Sequence, residues 1–142
     1  MKKSILVSGG TKGIGRVIVE RFAKEGFDIF TCSRNEGDLA ALRVAIASRH
    51  PSCSVHTFVA DLSKKEEVVA FATGVKAIGI PDVIVHNTGL FLPGSLHAEP
   101  DGNLEFLIQT NLYSAYYLTR AFAAELMARM SGHIFSIGSI AG

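Results

Sequence analysis

Short apolar segments alternate with longer helical patterns along the chain. In the longer patterns, apolar side chains recur at the i, i+3, i+4 spacing of a helix face. The apolar segments predict five strands, at Ser4 to Val7, Asp28 to Cys32, Val55 to Val59, Val83 to Val85 and His133 to Ile137. The helical patterns predict four helices, at about Gly13 to Lys24, Glu36 to Ser48, Lys64 to Ala77 and Leu104 to Arg129. The order is βαβαβαβαβ, and we expect one domain over residues 1–142.

The predicted strands contain few polar positions, and this favours a parallel sheet that is covered on both faces. Helices between consecutive strands supply the right-handed crossovers that parallel strands need. We therefore predict an α/β fold, a Rossmann-type doubly wound parallel sheet with helices on both faces, truncated after the fifth strand. Ligands of such sheets bind beyond the carboxyl ends of the strands, so functional residues are expected directly after each strand.

Composition and charge exclude several classes of protein. The chain has 142 residues, 48% of them hydrophobic, and a net charge of +1. It should fold, and it has no basic block of the kind that binds nucleic acid or a membrane surface. The apolar run that begins at Ile5 stops at Ser8. It is too short for a signal peptide or a membrane span, so the cytoplasm is the expected location.

Neither a disulfide framework nor a metal site is expected. Cys32 and Cys53 lack the spacing of a zinc or redox motif, and we predict free buried thiols. The five histidines are scattered, without paired spacing or a neighbouring cysteine. Two of them, His86 and His133, are predicted near strand ends, either beside the expected crevice or in a purely structural role.

A glycine-rich turn joins the first predicted strand to the first helix, and it reads Ser8-Gly9-Gly10-Thr11-Lys12-Gly13-Ile14-Gly15. Such a turn lets a pyrophosphate approach the backbone, and it points the free N–H groups and the dipole of the helix at the anion. Glycine-rich turns also occur without any ligand. The candidate cofactor-binding residues here are Ser8, Gly9, Thr11, Lys12, Gly13, Ile14 and Gly15.

The spacing G-x-x-x-G-x-G in this turn resembles the short-chain dehydrogenases/reductases, and further marks of that family follow in order. They are Asp61 after strand three, Asn87 and Gly89 after strand four, Asn111 in the long helix and Ser139 after strand five. The resemblance covers the whole chain. It departs from the usual pattern at Ser8, where the family has Thr, and at His86 and Thr88 within the family's Asn-Asn-Ala-Gly. The last two changes alter the hydrogen bonding expected under the cofactor.

The end of the second strand predicts which nicotinamide cofactor binds. A Rossmann site for NAD usually has an acidic residue there, whereas this chain has Cys32-Ser33-Arg34-Asn35. Arg34 can hold a phosphate with two hydrogen bonds, Ser33 can donate to it, and Lys12 adds a second cation. We therefore predict NADP(H) in preference to NAD(H). The alternative is that Arg34 and Lys12 are solvated surface cations.

The resemblance gives roles to three further residues. It implies that Asp61 binds the adenine amino group beside the Leu62 backbone. The alternative is that Asp61 caps the third helix, where Ser63 and Glu66 match a capping box, and both roles could coexist. Asn111 lies in an apolar stretch and is expected to be buried, either in a structural hydrogen bond between helices or, as the resemblance implies, distorting the helix and holding a water of the proton relay.

The resemblance also implies the reaction. It is hydride transfer between the nicotinamide and a small-molecule carbonyl or alcohol, with Ser139 as the catalytic serine that hydrogen-bonds the substrate carbonyl. Ser136, three residues earlier, is the competing serine, and we expect it to lie within the strand. The family's proton donor is the Tyr of a Y-x-x-x-K helix, and the chain ends before that helix is expected.

The three tyrosines, Tyr113, Tyr116 and Tyr117, have no Lys four residues later, and we predict that they pack on the helix face. The chain alone is therefore expected to be inactive. The alternative function is a non-catalytic NADP-binding or scaffold module. Family members pair through the long helix, so the resemblance implies a homodimer or homotetramer for the full-length protein.

Overall fold

Five parallel strands form one sheet in the computed structural model, which describes residues 2–140. The strands are β1 Ser4–Ser8, β2 Asp28–Ser33, β3 Val55–Val59, β4 Val83–His86 and β5 His133–Ser136. Their order in the sheet is β3-β2-β1-β4-β5. The connections reverse direction between β1 and β4, and a crevice is expected at the carboxyl edge of such a switch point. The predicted Rossmann-type doubly wound sheet is confirmed.

The helices follow the strands in the predicted order. They are α1 Gly13–Lys24, α2 Glu36–Arg49, α3 Lys65–Lys76, α4 Asn103–Ile108 and α5 Ser114–Ala128. The single helix predicted from Leu104 to Arg129 is wrong in one respect, because a π-helical segment, Gln109–Tyr113, separates α4 from α5. A π-helical turn contains one residue more than an α-helical turn, and the spacing of the apolar residues in the sequence did not reveal it. The described residues also include a short 3-10 helix, Leu96–Ala98, in the segment after β4.

Helices cover both faces of the central strands. On one face, α1 and α2 bury a cluster that includes Ile5, Val7 and Ile29. On the other face, α3 and α5 bury a cluster that includes Leu6 and Phe30. Neighbouring residues of one strand thus enter different cores, and this is why the strands show so little alternation of apolar and polar residues.

The strand β5 is different, because all four of its residues are exposed. Ile134 is 44% exposed and Phe135 is 51% exposed, although the pattern predicted apolar strands covered on both faces. Among the described residues, β5 pairs with β4 alone. The prediction of full cover therefore holds at the centre of the sheet and not at this edge.

The capping box predicted at Ser63 and Glu66 is wrong. The helix begins at Lys65, and its N-cap residue Lys64 makes no side-chain capping bond. The Ser63 hydroxyl instead donates to Asp61 Oδ1 at 2.7 Å, while the Glu67 carboxylate accepts from the Asp61 N–H. The carboxylate that binds a backbone N–H ahead of the helix therefore belongs to Glu67, one residue later than the predicted Glu66. The difference arises because Asp61 forms a turn ahead of the helix.

Both thiols are free and buried, as predicted. Burial raises the pKa of Cys32 to about 12, and it also raises the pKa of Cys53. Both thiols therefore stay protonated at neutral pH and serve as core residues. Within residues 2–140, no helix combines the length and the apolar character that a membrane span requires.

Candidate functional site

The glycine-rich turn lies at the carboxyl end of β1, where the sheet reverses direction. Gly9 has a φ of +67°, a left-handed conformation that a residue with a side chain rarely adopts. Gly15 makes the closest approach, because a Cβ there would lie 2.4 Å from Asn87 Nδ2 and 2.5 Å from Gly9 O. Only glycine therefore fits where α1 meets the turn.

The N-terminus of α1 is open to an anion. Its N-cap residue, Lys12, makes no side-chain capping bond, and the first turn contains no acidic residue. Ile14 at this end is 61% exposed. The first backbone N–H groups of a helix have no partner inside the helix, and they carry its positive dipole end. An arrangement of this kind suits a phosphate or pyrophosphate group.

Asn87 ties the glycine-rich turn to β4. Its Nδ2 donates to Ser8 O at 3.0 Å and to Gly9 O at 3.1 Å. The Ser8 hydroxyl completes the contact by accepting from the N–H groups of Asn87 and Thr88, both at 2.9 Å. Ser8 is only 2% exposed, so its side chain supports the turn from inside the protein. Its contribution to a cofactor would come through the backbone.

The two predicted cations come from two different segments, Arg34 from the segment after β2 and Lys12 from the glycine-rich turn. Arg34 is exposed, and Ser33 Oγ accepts from the Asn35 N–H at 3.3 Å. Lys12 reaches across from the glycine-rich turn, where its Nζ lies 2.9 Å from Asp38 Oδ2 in the first turn of α2. The Asp38 carboxylate therefore lies on the side of the site where the phosphate is predicted to bind. It binds Lys12, one of the two predicted cations.

Asp61 lies directly after β3, where the sequence placed it. Burial alone would raise its pKa, but hydrogen bonds from the hydroxyl and N–H of Ser63 and the charges of Lys64 and Arg34 hold the pKa of Asp61 below its usual value. Asp61 is thus a negatively charged hydrogen-bond acceptor, and it lies on the same side of the carboxyl edge as Arg34. Leu62 is 5% exposed and belongs to the core, so only its backbone could serve a ligand.

Asn111 lies in the π-helical segment, but it is exposed rather than buried as predicted. Its Oδ1 accepts from the Leu90 N–H at 2.7 Å, and its Nδ2 donates to Leu90 O at 2.8 Å. The hydrogen bonds therefore join the helix to the segment after β4, not to another helix. The helix distortion that the resemblance implied is present, and both ends of the Asn111 amide bind the Leu90 backbone, so that the Asn111 side chain lies beside Gly89.

Ser139 follows β5 by three residues and is exposed, whereas Ser136 is the last residue of the strand. The position of Ser136 agrees with the sequence interpretation. The Ile137 N–H donates to His86 O at 2.9 Å, so the segment that leads to Ser139 continues the contact with β4. The strands β1, β4 and β5 are adjacent in the sheet. The segments that carry Gly9, Asn87 and Ser139 follow these strands, so they lie next to one another at the carboxyl edge.

The two histidines predicted near strand ends lie at opposite edges. His86 ends β4, is 8% exposed, and its Nε2 lies 2.7 Å from Thr119 Oγ1 on α5. Burial lowers the pKa of His86, and its Nδ1 has no hydrogen-bond partner among the described residues. His133 begins β5 and therefore lies at the amino edge, away from the crevice. Of the two alternatives for His133, the place beside the crevice is therefore wrong and the structural role remains.

The tyrosine prediction is confirmed for one residue of three. Tyr117 packs against the core cluster between α3 and α5. Tyr113 and Tyr116 are 46% and 56% exposed, and their rings contact the Tyr117 ring edge-on.

Sequence reasoning missed three functional contributors. The Thr31 hydroxyl donates to Val7 O at 2.7 Å and accepts from the Gly10 N–H at 3.0 Å, so it fixes the turn from β2. Thr119 lies within hydrogen-bond distance of His86, and Asp38 binds Lys12. A polar residue in the middle of a buried strand was an available signal for Thr31. The other two contacts join residues far apart in the chain, which a single sequence does not pair.

The chain matches known proteins over nearly all of its length. The family model described as short chain dehydrogenase matches residues 3–142. Estradiol 17-beta-dehydrogenase 11 of Pongo abelii is 32% identical over 139 residues, which are 97% of this chain and 46% of that relative. The chain spans about half the length of the curated relatives that it matches.

Solved structures agree with the family match. A metagenomic short-chain oxidoreductase in complex with NADP is 33% identical, with a TM-score of 0.90, and the match covers 98% of this chain and 62% of that one. L-sorbose reductase from Gluconobacter frateurii, complexed with NADPH and L-sorbose, is 26% identical, with a TM-score of 0.92 over 98% of this chain and 53% of that one. Together with the glycine-rich turn and the reversal of strand order between β1 and β4, these matches show that the chain belongs to the short-chain dehydrogenase/reductase family.

Proposed function

We propose that this chain is the cofactor-binding part of an NADP(H)-dependent oxidoreductase that transfers hydride between the nicotinamide and a small-molecule carbonyl or alcohol. One observation carries the proposal. The uncapped N-terminus of α1 and the turn clamped by Asn87 lie at the carboxyl edge of the sheet, one strand away from the exposed Arg34. Backbone donors for a pyrophosphate and a side-chain cation for a 2′-phosphate are thereby combined in one crevice.

The choice of NADP(H) over NAD(H) rests on charge. An acidic residue directly after β2 would bind the ribose hydroxyls and repel a 2′-phosphate, whereas this chain has Arg34 there. The guanidinium matches a phosphate with two parallel hydrogen bonds. Two of the similar solved structures are complexes with NADP and NADPH, which supports the same choice.

Each described site residue has a task in this proposal. The turn from Gly9 to Gly15, including Thr11, Gly13 and Ile14, would hold the pyrophosphate through backbone N–H groups, and Asp61 would accept from the adenine amino group. Gly89 would leave room beside the cofactor, and Asn111 would hold the segment at Leu90 in place.

Ser139 would donate to the substrate carbonyl oxygen and stabilise the negative charge that develops on it. The bound nicotinamide would supply or accept the hydride.

The experiment is a titration of the purified chain with NADPH, followed by the fluorescence of the nicotinamide, and then an assay with aldehydes and ketones. We expect saturable NADPH binding without measurable NADPH oxidation, because each tyrosine lacks a Lys four residues later. No binding of NADPH would contradict the proposed cofactor. Rapid oxidation would contradict the proposed division between binding and catalysis.

A non-catalytic NADP-binding or scaffold module is the second candidate, and the tyrosine spacing favours it. The coding region after residue 142 separates the two candidates. A Y-x-x-x-K sequence soon after Gly142 would support the enzyme, and a stop codon at that point would support the module.

We further propose a homodimer or homotetramer in the cytoplasm for the full-length protein. Apolar residues on the helical segment from α4 to α5 are exposed, among them Leu104 at 60%, Leu112 at 59% and Met127 at 75% exposure. They support an interface at this segment. Sedimentation equilibrium of the full-length protein would test this, and a monomer at every concentration would contradict it. The free buried thiols suit a reducing compartment.

A further inference from the structure

Asp38 joins two parts of the proposed adenosine end of the site. It lies in the first turn of α2, where its backbone N–H donates to the capping Asn35 Oδ1 at 3.0 Å. Its carboxylate Oδ2 lies 2.9 Å from Lys12 Nζ in the glycine-rich turn. The side chain of Lys12 is 78% exposed and that of Asp38 is 31% exposed, so the pair stands at the surface of the crevice.

The other charged residues nearby have partners other than Lys12 and Asp38. Glu36, the second acid in the first turn of α2, binds Arg43 Nη2 at 2.8 Å. Burial raises the pKa of Asp61, but the hydrogen bonds from Ser63 and the charges of Lys64 and Arg34 hold it below its usual value. Lys12 is thus the cation that a neighbouring carboxylate already holds on the side where the 2′-phosphate would bind.

We infer that Asp38 is a specificity-determining residue whose carboxylate competes with the 2′-phosphate of NADP(H) for Lys12. The inference rests on the proposed function. In the free protein, Asp38 holds the ammonium group of Lys12. On binding NADPH, the phosphate either shares Lys12 with this carboxylate or displaces it. NADH brings no phosphate to this position, so Asp38 does not oppose its binding.

The effect should be moderate, because exposed ion pairs contribute little and are screened by salt. Removing the negative charge should strengthen NADPH binding by roughly threefold to fivefold at low ionic strength. The same change should alter NADH binding by less than about twofold, since an uncharged ribose gains nothing from a free Lys12. Asp38 therefore limits the preference for NADP(H) that Arg34 creates.

The test compares the dissociation constants of NADPH and NADH for the wild-type chain, Asp38→Asn and Glu36→Gln. Asp38→Asn keeps the shape of the side chain and the backbone bond to Asn35. Glu36→Gln removes a charge from the same helical turn, where the acid binds Arg43 instead of Lys12. We expect tighter NADPH binding for Asp38→Asn alone. Unchanged or weaker NADPH binding, or an equal gain for NADH, would overturn the inference.

A second pair of variants tests the route through Lys12. In a Lys12→Met background, Asp38→Asn should change NADPH binding by less than about twofold, because the competed cation is absent. A full gain in that background would overturn competition for Lys12. Binding of NADPH that does not respond to Asp38→Asn contradicts this inference alone, whereas a wild-type chain that binds neither nucleotide contradicts the proposed function as well. Thermal unfolding of each variant confirms that it is folded.

Discussion

The two ends of the proposed cofactor site are built in different ways. At the pyrophosphate end, the backbone of the glycine-rich turn is fixed by Asn87, Ser8 and Thr31, each of which makes at least two hydrogen bonds. At the adenosine end, Arg34 and Lys12 are exposed side chains, and their neighbours are the carboxylates Asp61 and Asp38. One end is a packed framework, and the other is a set of surface charges.

This difference separates two functions. In the proposed function, the packed end would determine whether a dinucleotide binds, because a misplaced backbone donor cannot be replaced by a solvated side chain. The charged end would determine which dinucleotide binds, because the 2′-phosphate is all that distinguishes NADP(H) from NAD(H). Substitutions at the packed end should therefore affect both cofactors, and substitutions at the charged end should affect one.

The largest effect is expected for Gly15→Ala. A glycine in a helix normally gains up to about 1 kcal/mol on replacement by Ala. Here the new Cβ would lie 2.4 Å from Asn87 Nδ2, and overpacking of this kind costs about 1–3 kcal/mol in the free energy of unfolding. Because this cost falls on the turn that both cofactors would share, NADPH and NADH should each weaken by up to roughly 100-fold.

Gly79→Ala is the matched control for this change, because a Cβ there meets no atom within 4 Å. It should leave both dissociation constants within about twofold of the wild type. Equal behaviour of the two variants in titration and thermal unfolding would refute the tight fit at Gly15.

Arg34→Asp should have the next largest effect, and only on NADPH. It removes a charge-assisted pair worth about 1.5–3 kcal/mol and adds a carboxylate, so NADPH should weaken by roughly 10–100-fold. NADH should change by less than about threefold. Titration of both cofactors measures the ratio, and an equal loss of both would count against a phosphate role for Arg34.

Asn87→Leu should give a smaller loss that is shared by both cofactors. It removes the donors to Ser8 O and Gly9 O, each worth about 0.5–1.5 kcal/mol, while keeping a similar volume. We expect about a tenfold loss for NADPH and for NADH, together with a lower thermal unfolding midpoint. A loss confined to NADPH would contradict the assignment of Asn87 to the shared end.

The smallest effect is the pH dependence that His86 imparts to stability. Burial lowers its pKa below the 6.5 of the unfolded chain, so the unfolded chain binds more protons just below that pH. The contribution of neutral His86 is thus complete above pH 6.5, and it is lost as pH falls towards the lowered pKa by at most about 1.4 kcal/mol per pH unit.

Urea unfolding of the wild type and of His86→Asn at several pH values measures this contribution. The difference between them should fall with pH below about 6.5. A difference that is constant with pH would argue that His86 keeps its ordinary pKa.

The sequence was sufficient where a feature depends on one segment of chain. The bounds of α1 and β3 and the glycine-rich turn were predicted because periodicity and glycine spacing are local properties. The pairs Lys12–Asp38 and His86–Thr119 were missed because each depends on which side chains the fold brings together. Asn111 was expected to be buried because its neighbours are apolar, but the π-helical segment leaves it exposed and holding Leu90.

The most direct test of the division between the two ends is the amide nitrogen–proton NMR spectrum of the chain with and without each cofactor. Both NADPH and NADH should shift the amide signals of Gly9 to Gly15, and NADPH alone should strongly shift those of Ser33 and Arg34. Identical shifts with the two cofactors, or shifts confined to residues away from the carboxyl edge, would contradict the account.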